Sequence, residues 1–314
     1  MARATLKSKF LGSLIGTGLG DALGAGLEGW HLVDEAEVRL LAGKRDTLTY
    51  TDDTHMMIGV AESLIAKKGF DGEHMARTFM DNYAREPYRG YGPGPPRVFR
   101  LIQSGESWDQ AAAKLYGGGS FGNGAAMRIA PVGVLYYDDP TQMKATALRS
   151  SQITHAHELG KEGAVLQACA VALAVAADPA AELRTDEFLM SLCTVVQQQA
   201  FQEKLGKLGE LLGKPDRVQV VEQLGHGVEA LDSVPAAVYS FLSHPNSFEK
   251  AVTYAISLGG DTDTIGAMTG AITGAYLGIE AIPREWQERL ENREYIMELA
   301  EGLWRIKTES ESTG

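Results

Sequence analysis

Residues 51–69 read Thr-Asp-Asp-Thr-His-Met-Met-Ile-Gly-Val-Ala-Glu-Ser-Leu-Ile-Ala-Lys-Lys-Gly. Within them Met57, Val60, Ala61, Leu64 and Ile65 recur at helical spacing and make one apolar stripe, and Lys67, Lys68 and Gly69 supply an end signal. The same periodicity returns at Ala164–Ala177, Phe188–Phe201 and Leu290–Leu303. Sustained period-two alternation is nearly absent, and Val132–Tyr137 is the best strand candidate. The expected class is all-α.

Two further stretches share a device. Gly12, Gly16, Gly20 and Gly24 recur every four residues, as do Gly266, Gly270, Gly274 and Gly278. On a helix each set forms a smooth ridge that admits a neighbouring backbone, and each glycine costs helix propensity. Two helices packed closely at the centre are expected. Arg89–Pro96 reads as a stiff connector and Leu205–Arg217 as a surface loop. One domain over residues 1–305 is expected, followed by a polar tail, 306–314, outside the fold.

The 314 residues are 44% hydrophobic and carry a net charge of -12. That suffices for a large core and leaves no broad basic surface, so direct nucleic-acid binding is not expected. Cys169 and Cys193 lie in apolar helical stretches and read as reduced core thiols, and no signal-peptide pattern opens the chain. An intracellular, cytoplasmic monomer is expected. The charge-free run Ile265–Ile279 and the aliphatic run Ala164–Ala177 fall short of the roughly 20 residues a bilayer span needs, so no membrane association is expected.

Chemistry concentrates at two helix starts. Thr51-Asp52-Asp53-Thr54 precedes one helix and Gly259-Gly260-Asp261-Thr262-Asp263-Thr264 precedes another. Capping needs one such side chain, and adjacent carboxylates repel. Clustered Asp and Thr oxygens without His or Cys suit magnesium or manganese better than zinc. Four acids could hold two ions if both segments meet in space. A third signal is Gly117-Gly118-Gly119-Ser120-Phe121-Gly122-Asn123-Gly124, preceded by Tyr116. Its glycines could turn backbone amides onto phosphate oxygens, with Ser120 and Asn123 adding side-chain bonds and Tyr116 and Phe121 stacking on a base. No Lys follows, so it is not a P-loop, and Gly24–Gly29 fits G-x-G-x-x-G without the strand a dinucleotide fold requires. His155 and His157 diverge at helical spacing, so a shared metal is not expected. Met127 and Arg128 read as structural residues.

T-D-D-T at 51–54, G-G-D-T-D-T at 259–264 and G-D-A-L-G at 20–24, with Glu28 after it, together resemble the ADP-ribosylglycohydrolases, the family that includes the dinitrogenase-reductase-activating glycohydrolases. R-G-Y-G at 89–92, G-S-F-G-N-G-A-A-M-R at 119–128, T-H-A at 154–156, S-V-P-A-A-V-Y-S-F-L at 233–242 and I-S-L-G-G-D-T-D-T at 256–264 are similar to the branch that cleaves ADP-ribosylserine and poly(ADP-ribose). The resemblance spans residues 8–303. It implies a single orthogonal helical-bundle domain with two Mg2+ ions, Mn2+ being an alternative. By the resemblance Thr51, Asp52, Asp53, Asp261, Asp263 and Thr264 ligate the ions, and Glu28 is the catalytic glutamate that also approaches a metal. Gly117–Asn123 would hold the diphosphate with His155 nearby, Tyr116 and Phe121 would sandwich the adenine, and Leu205 and Val238 would line the adenosine side. Phe121 stands where the branch would place Tyr. ADP-ribose and ADP-ribosylated proteins are the implied partners, serine-linked ADP-ribose first, with the polymer and O-acetyl-ADP-ribose as further substrates. An ADP-ribosylarginine hydrolase, a magnesium-dependent phosphoesterase acting on ADP-ribose and a non-catalytic ADP-ribose reader are the competing readings.

Overall fold

The computed structural model describes residues 5–213 and 216–311, and no strand occurs among them. The helices are α1 (Leu6–Gly24), α2 (Glu35–Lys44), α3 (Asp52–Lys67), α4 (Gly72–Arg85), α5 (Gly94–Gln103), α6 (Ala130–Leu135), α7 (Pro140–Gln152) and α8 (Glu158–Ala176). They continue with α9 (Thr185–Val195), α10 (Gln199–Leu211), α11 (Arg217–Leu224), α12 (Ala230–Ser243), α13 (Phe248–Ser257), α14 (Thr262–Leu277), α15 (Arg284–Arg289) and α16 (Arg293–Glu311). The all-α expectation holds. One main core runs from Phe10 in α1 to Leu303 in α16, with α1, α8 and α14 buried on nearly every side.

The glycine ridges decide the centre. A Cβ at Gly12 would collide with the Gly274 carbonyl, at Gly16 with that of Gly270, at Gly20 with that of Gly266, and at Gly24 with Thr262 and Asp263. Numbers that climb by four in α1 fall by four in α14, so the two helices lie antiparallel with backbones in contact. Ser13 Oγ donates to Ala271 O at 3.1 Å and Thr262 Oγ1 to Gly24 O at 2.9 Å, which fixes the register. The packing delivers the end of α1 to the start of α14.

Four sequence expectations are corrected by tertiary contacts. Val132–Tyr137 is not a strand: Pro131 opens α6, and Gly133 packs against Ala168 and Val171 of α8. The first part of the Leu205–Arg217 stretch, Leu205–Leu211, is not a loop, because Leu205 and Leu208 form the buried stripe of α10 and leave Gly206 and Gly209 outside. The Phe188–Phe201 helix breaks after Val195, where the Glu162 carboxylate accepts from Gln197 N at 2.5 Å and Gln198 N at 2.8 Å. The polar tail does not leave the fold at 306: α16 runs on to Glu311, and residues 312–314 lie outside the described residues. Cys169 is buried as expected, whereas Cys193 is exposed. At 19 residues α8 is long and apolar enough to cross a membrane by composition; it is buried here against α6, α7, α12 and α14.

Candidate active site

The starts of α3 and α14 and the end of α1 meet at the floor of a cleft of about 320 Å³. Thr51 and Asp261 occupy the N-cap positions of α3 and α14, yet neither makes a side-chain cap bond. Capping therefore does not account for the two motifs. Asp52, Asp53, Asp261, Asp263, Thr51 and Thr264 all line the cleft, and Glu28 stands beside them on the segment leaving α1. The expected meeting of residues 51–54 with 261–264 is what the structure places here.

One acid at the centre was not assigned a role from sequence. Asp21, fully buried in α1, accepts from Thr51 N and Oγ1 at 2.9 Å each, from Thr54 N at 3.0 Å and from Thr54 Oγ1 at 2.6 Å. It thus bolts the Thr51–Thr54 turn onto the ridge helix. Its position in the quoted G-D-A-L-G, a lone charge within an apolar glycine-ridged helix, was the available signal. One carboxylate oxygen each from Asp21, Asp53 and Asp263 lie within 4.8 Å of one another.

The electrostatics of such a cluster are unfavourable on their own. Burial, reinforced by Asp263, raises Asp21 to about 7, and burial with Asp21 and Asp263 raises Asp52 to about 8. Asp53 and Asp261 are pushed well above the usual carboxylate range, by burial first and neighbouring acids second. The N-terminal dipoles of α3 and α14 offset part of that repulsion. Asp53 Oδ1 is buried with no protein hydrogen-bond partner, an orphan that a hard cation would satisfy. Donor type, crowding and the orphaned oxygen all fit divalent-cation binding.

The walls come from loops with fixed conformations. Arg89 clamps the 86–93 segment, donating to Tyr50 O at 3.1 Å and, as a fork, to Glu291 at 2.7 and 2.9 Å, and so sets Gly90 against Asp52. Gly92–Pro95, expected only as a connector, forms a face of the cleft. Opposite, Asn123 donates to Asp261 Oδ2 at 2.6 Å and to Ser233 Oγ at 3.1 Å, so its side chain orients the acid. Gly29 N donates to Gly260 O and Gly260 N to Trp30 O, both at 2.8 Å, tying the Glu28 segment to α14.

Tyr116, Ser120, Gly122, Asn123 and His155 line the cleft as expected. Other expected residues do not. Gly117, Gly118 and Gly119 lie outside it, with Gly118 N and Gly119 N donating to Leu115 O at 3.2 and 2.8 Å; the run shapes a positive-φ turn and leaves those amides unavailable as an anion nest. Phe121 is exposed and does not line the cleft, its ring T-shaped against His157 at 5.6 Å, whereas Tyr116 does line it. Leu205 in α10 and Val238 in α12 are buried in the core, because both belong to helix-packing stripes, and neither reaches the cleft. Val228, Met127, Thr154 and Gly124 also line the cleft, and none of them is an expected site residue.

Comparison with known proteins agrees with this architecture. A solved structure titled "ADP-ribosylglycohydrolase-related protein complex" superposes with a TM-score of 0.75 at 26% identity, covering 96% of this chain and 99% of the other. Among relatives, the ADP-ribosylhydrolase ARH3 of Mus musculus is 37% identical over 96% of this chain and 93% of its own length. That of Homo sapiens is 36% identical over 95% and 93%. An uncharacterized protein of Archaeoglobus fulgidus is 32% identical over 96% and 97%. The family model described as ADP-ribosylglycohydrolase matches residues 2–312, and the chain belongs to the ADP-ribosylglycohydrolase family.

Proposed function

We propose that this protein is a magnesium-dependent hydrolase that releases ADP-ribose from serine-linked ADP-ribosyl proteins. The observation that carries the reading is the convergence of two helix starts, whose carboxylates make no caps, with Glu28 at the rim of one cleft. Relatives named as ADP-ribosylhydrolases support the hydrolase class, and the motifs at 119–128 and 233–242 support the serine branch.

In this reading Asp52, Asp53, Asp261 and Asp263, with Thr51 and Thr264, would hold the ions, which would supply Lewis acidity. Asp21 holds the Thr51–Thr54 turn and Asn123 holds Asp261, so the ligand oxygens are fixed before substrate arrives. Tyr116 offers its ring to the adenine. Cleavage at C1 of the distal ribose passes through an oxocarbenium-like transition state and needs a proton at the departing oxygen. Glu28, which lines the cleft, would give it. In the cation-free protein the charge of Asp263, and then burial, raise its carboxyl above the ordinary range.

The test is hydrolysis of defined peptides carrying serine-linked or arginine-linked ADP-ribose, with magnesium and with excess chelator. Intact ADP-ribose from the serine peptide, only with magnesium, is expected. Release from the arginine peptide alone would move the chain to the other branch. AMP plus ribose phosphate would make it a phosphoesterase.

A further inference from the structure

Among the described residues Arg128 is the largest fully buried side chain, and it forms no ion pair with a carboxylate there. Its guanidinium stacks on the Phe79 ring at 4.7 Å and donates to Ser150 O at 3.0 Å and Gly124 O at 3.2 Å. A third bond, from Nη1 to Thr154 Oγ1, measures 2.7 Å. Thr154 Oγ1 in turn lies 2.8 Å from His155 Nδ1. His155 lines the cleft, and no protein group among the described residues bonds its Nε2. Gly124 leaves room for the ring, since a Cβ there would stand 2.7 Å from Cε1.

The direction of these bonds follows from the donors. A guanidinium only donates, so Thr154 Oγ1 accepts from Arg128 and its single proton must go elsewhere. Thr154 is buried, and among the described residues the acceptor within reach of that hydroxyl is His155 Nδ1. Nδ1 is then an acceptor, and the neutral ring carries its proton on Nε2. An imidazolium would place two donors on one another at Nδ1 and set a second charge beside Arg128 in a dry interior.

We propose that Arg128, acting through Thr154, is a positioning residue that locks His155 as a neutral Nε2–H donor facing the cleft, where it would donate to an acceptor oxygen of the ligand. The inference rests on the ADP-ribose reading for the identity of the ligand and on geometry alone for the proton. Burial, with the charge of Arg128, holds the imidazole at about 3, so the donor persists across the physiological range. Arg128 also leaves a buried positive charge behind the 122–124 segment, which an acidic protein needs where an anion is to bind.

The test uses the full chain labelled with 15N-histidine, with long-range proton–nitrogen correlation spectra from pH 6 to 8.5. His155→Asn assigns the signal by its loss. An acceptor-type Nδ1 with a protonated Nε2, unchanged over that range, is expected. A protonated Nδ1, or titration within the range, overturns the proposal, and the wild-type spectrum decides this whether or not any variant folds. Thr154→Val should release the tautomer and weaken ADP-ribose binding by calorimetry about tenfold or more, while Thr154→Ser restores both. A Thr154→Val protein with the wild-type tautomer and affinity overturns the relay. If the tautomer is found but wild type fails to bind ADP-ribose with magnesium present, the relay stands and the ligand assignment falls.

Discussion

Alanine at Gly16 and alanine at Gly206 should change stability in opposite directions, although each replaces a glycine inside a helix. Propensity alone favours both by about 1 kcal/mol. At Gly206, on the exposed side of α10, a Cβ meets nothing within 4 Å, so that gain should appear in full. At Gly16 a Cβ would overlap the Gly270 carbonyl oxygen and lie 2.8 Å from its carbon, with Phe248 Cε2 at 3.1 Å. Backbone cannot rotate aside, so α1 and α14 must part by roughly 1 Å, which is the scale of overpacked cores. A gap of that size forfeits about a third of the dispersion well. At about 0.15 kcal/mol per atom pair, over on the order of 50 pairs, the loss is about 2.5 kcal/mol. Net of propensity, Gly16→Ala should destabilise by about 1.5 kcal/mol and Gly206→Ala should stabilise by about 1 kcal/mol. Urea denaturation followed by circular dichroism, with the slope held common, measures both. A Gly16→Ala protein as stable as wild type would refute the backbone contact; a Gly206→Ala protein that is destabilised would refute the open face of α10.

Raised carboxylates set the remaining expectations for the metal site. Their folded values stand above the unfolded value near 4, so the cation-free protein holds extra protons; that stability is complete below pH 4 and is lost as pH rises through about 7 to 8. In chelator the melting temperature should fall from pH 5 to 8.5, and magnesium should raise it more at pH 8 than at pH 5; a pH-independent magnesium effect contradicts binding at these acids. Asp263→Ala should fold yet lose magnesium stabilisation in the same melts, whereas retained stabilisation would place the ion elsewhere. Glu28→Gln should bind ADP-ribose and lose about 10²-fold or more in turnover, and near-normal turnover would remove Glu28 from proton transfer. Tyr116→Ala should weaken ADP-ribose binding by roughly 1–3 kcal/mol in calorimetry while Phe121→Ala changes it little; equal losses would restore a two-sided clamp.

The parts of this site that were legible in sequence are those whose local function is ambiguous without tertiary structure. Paired acids at two helix starts exceeded what capping explains, and the equal four-residue glycine periods announced that two distant segments would touch. Asp21 was harder to read because its donors, Thr51 and Thr54, are thirty residues away and its own surroundings look purely structural. The Gly117–Gly119 run misled for the opposite reason. Its composition allows an anion nest or a left-handed turn, and only the bonds to Leu115 O distinguish them. Leu205 sits in a stretch whose glycines suggest a loop, but glycine on the exposed face of a helix costs too little to break it when Leu205 and Leu208 bury the other face. Arg128 reads as an ordinary packing residue until its bonds are traced to the cleft.

The ridge pairing also dictates an order of assembly. α1 leaves the ribosome ahead of α14, and most of its surface is destined for burial, yet the backbone it packs against belongs to α14, which emerges about 250 residues later. At typical elongation rates of about 5–20 residues per second, the first helix waits on the order of tens of seconds for its partner. During that interval its bare glycine ridge is a smooth apolar surface open to other chains. Closing so long a loop carries an entropic cost, and Asp21 cannot meet Asp263 before it happens. A chain truncated ahead of α14 would therefore lack both the floor of the cleft and the cover for α1.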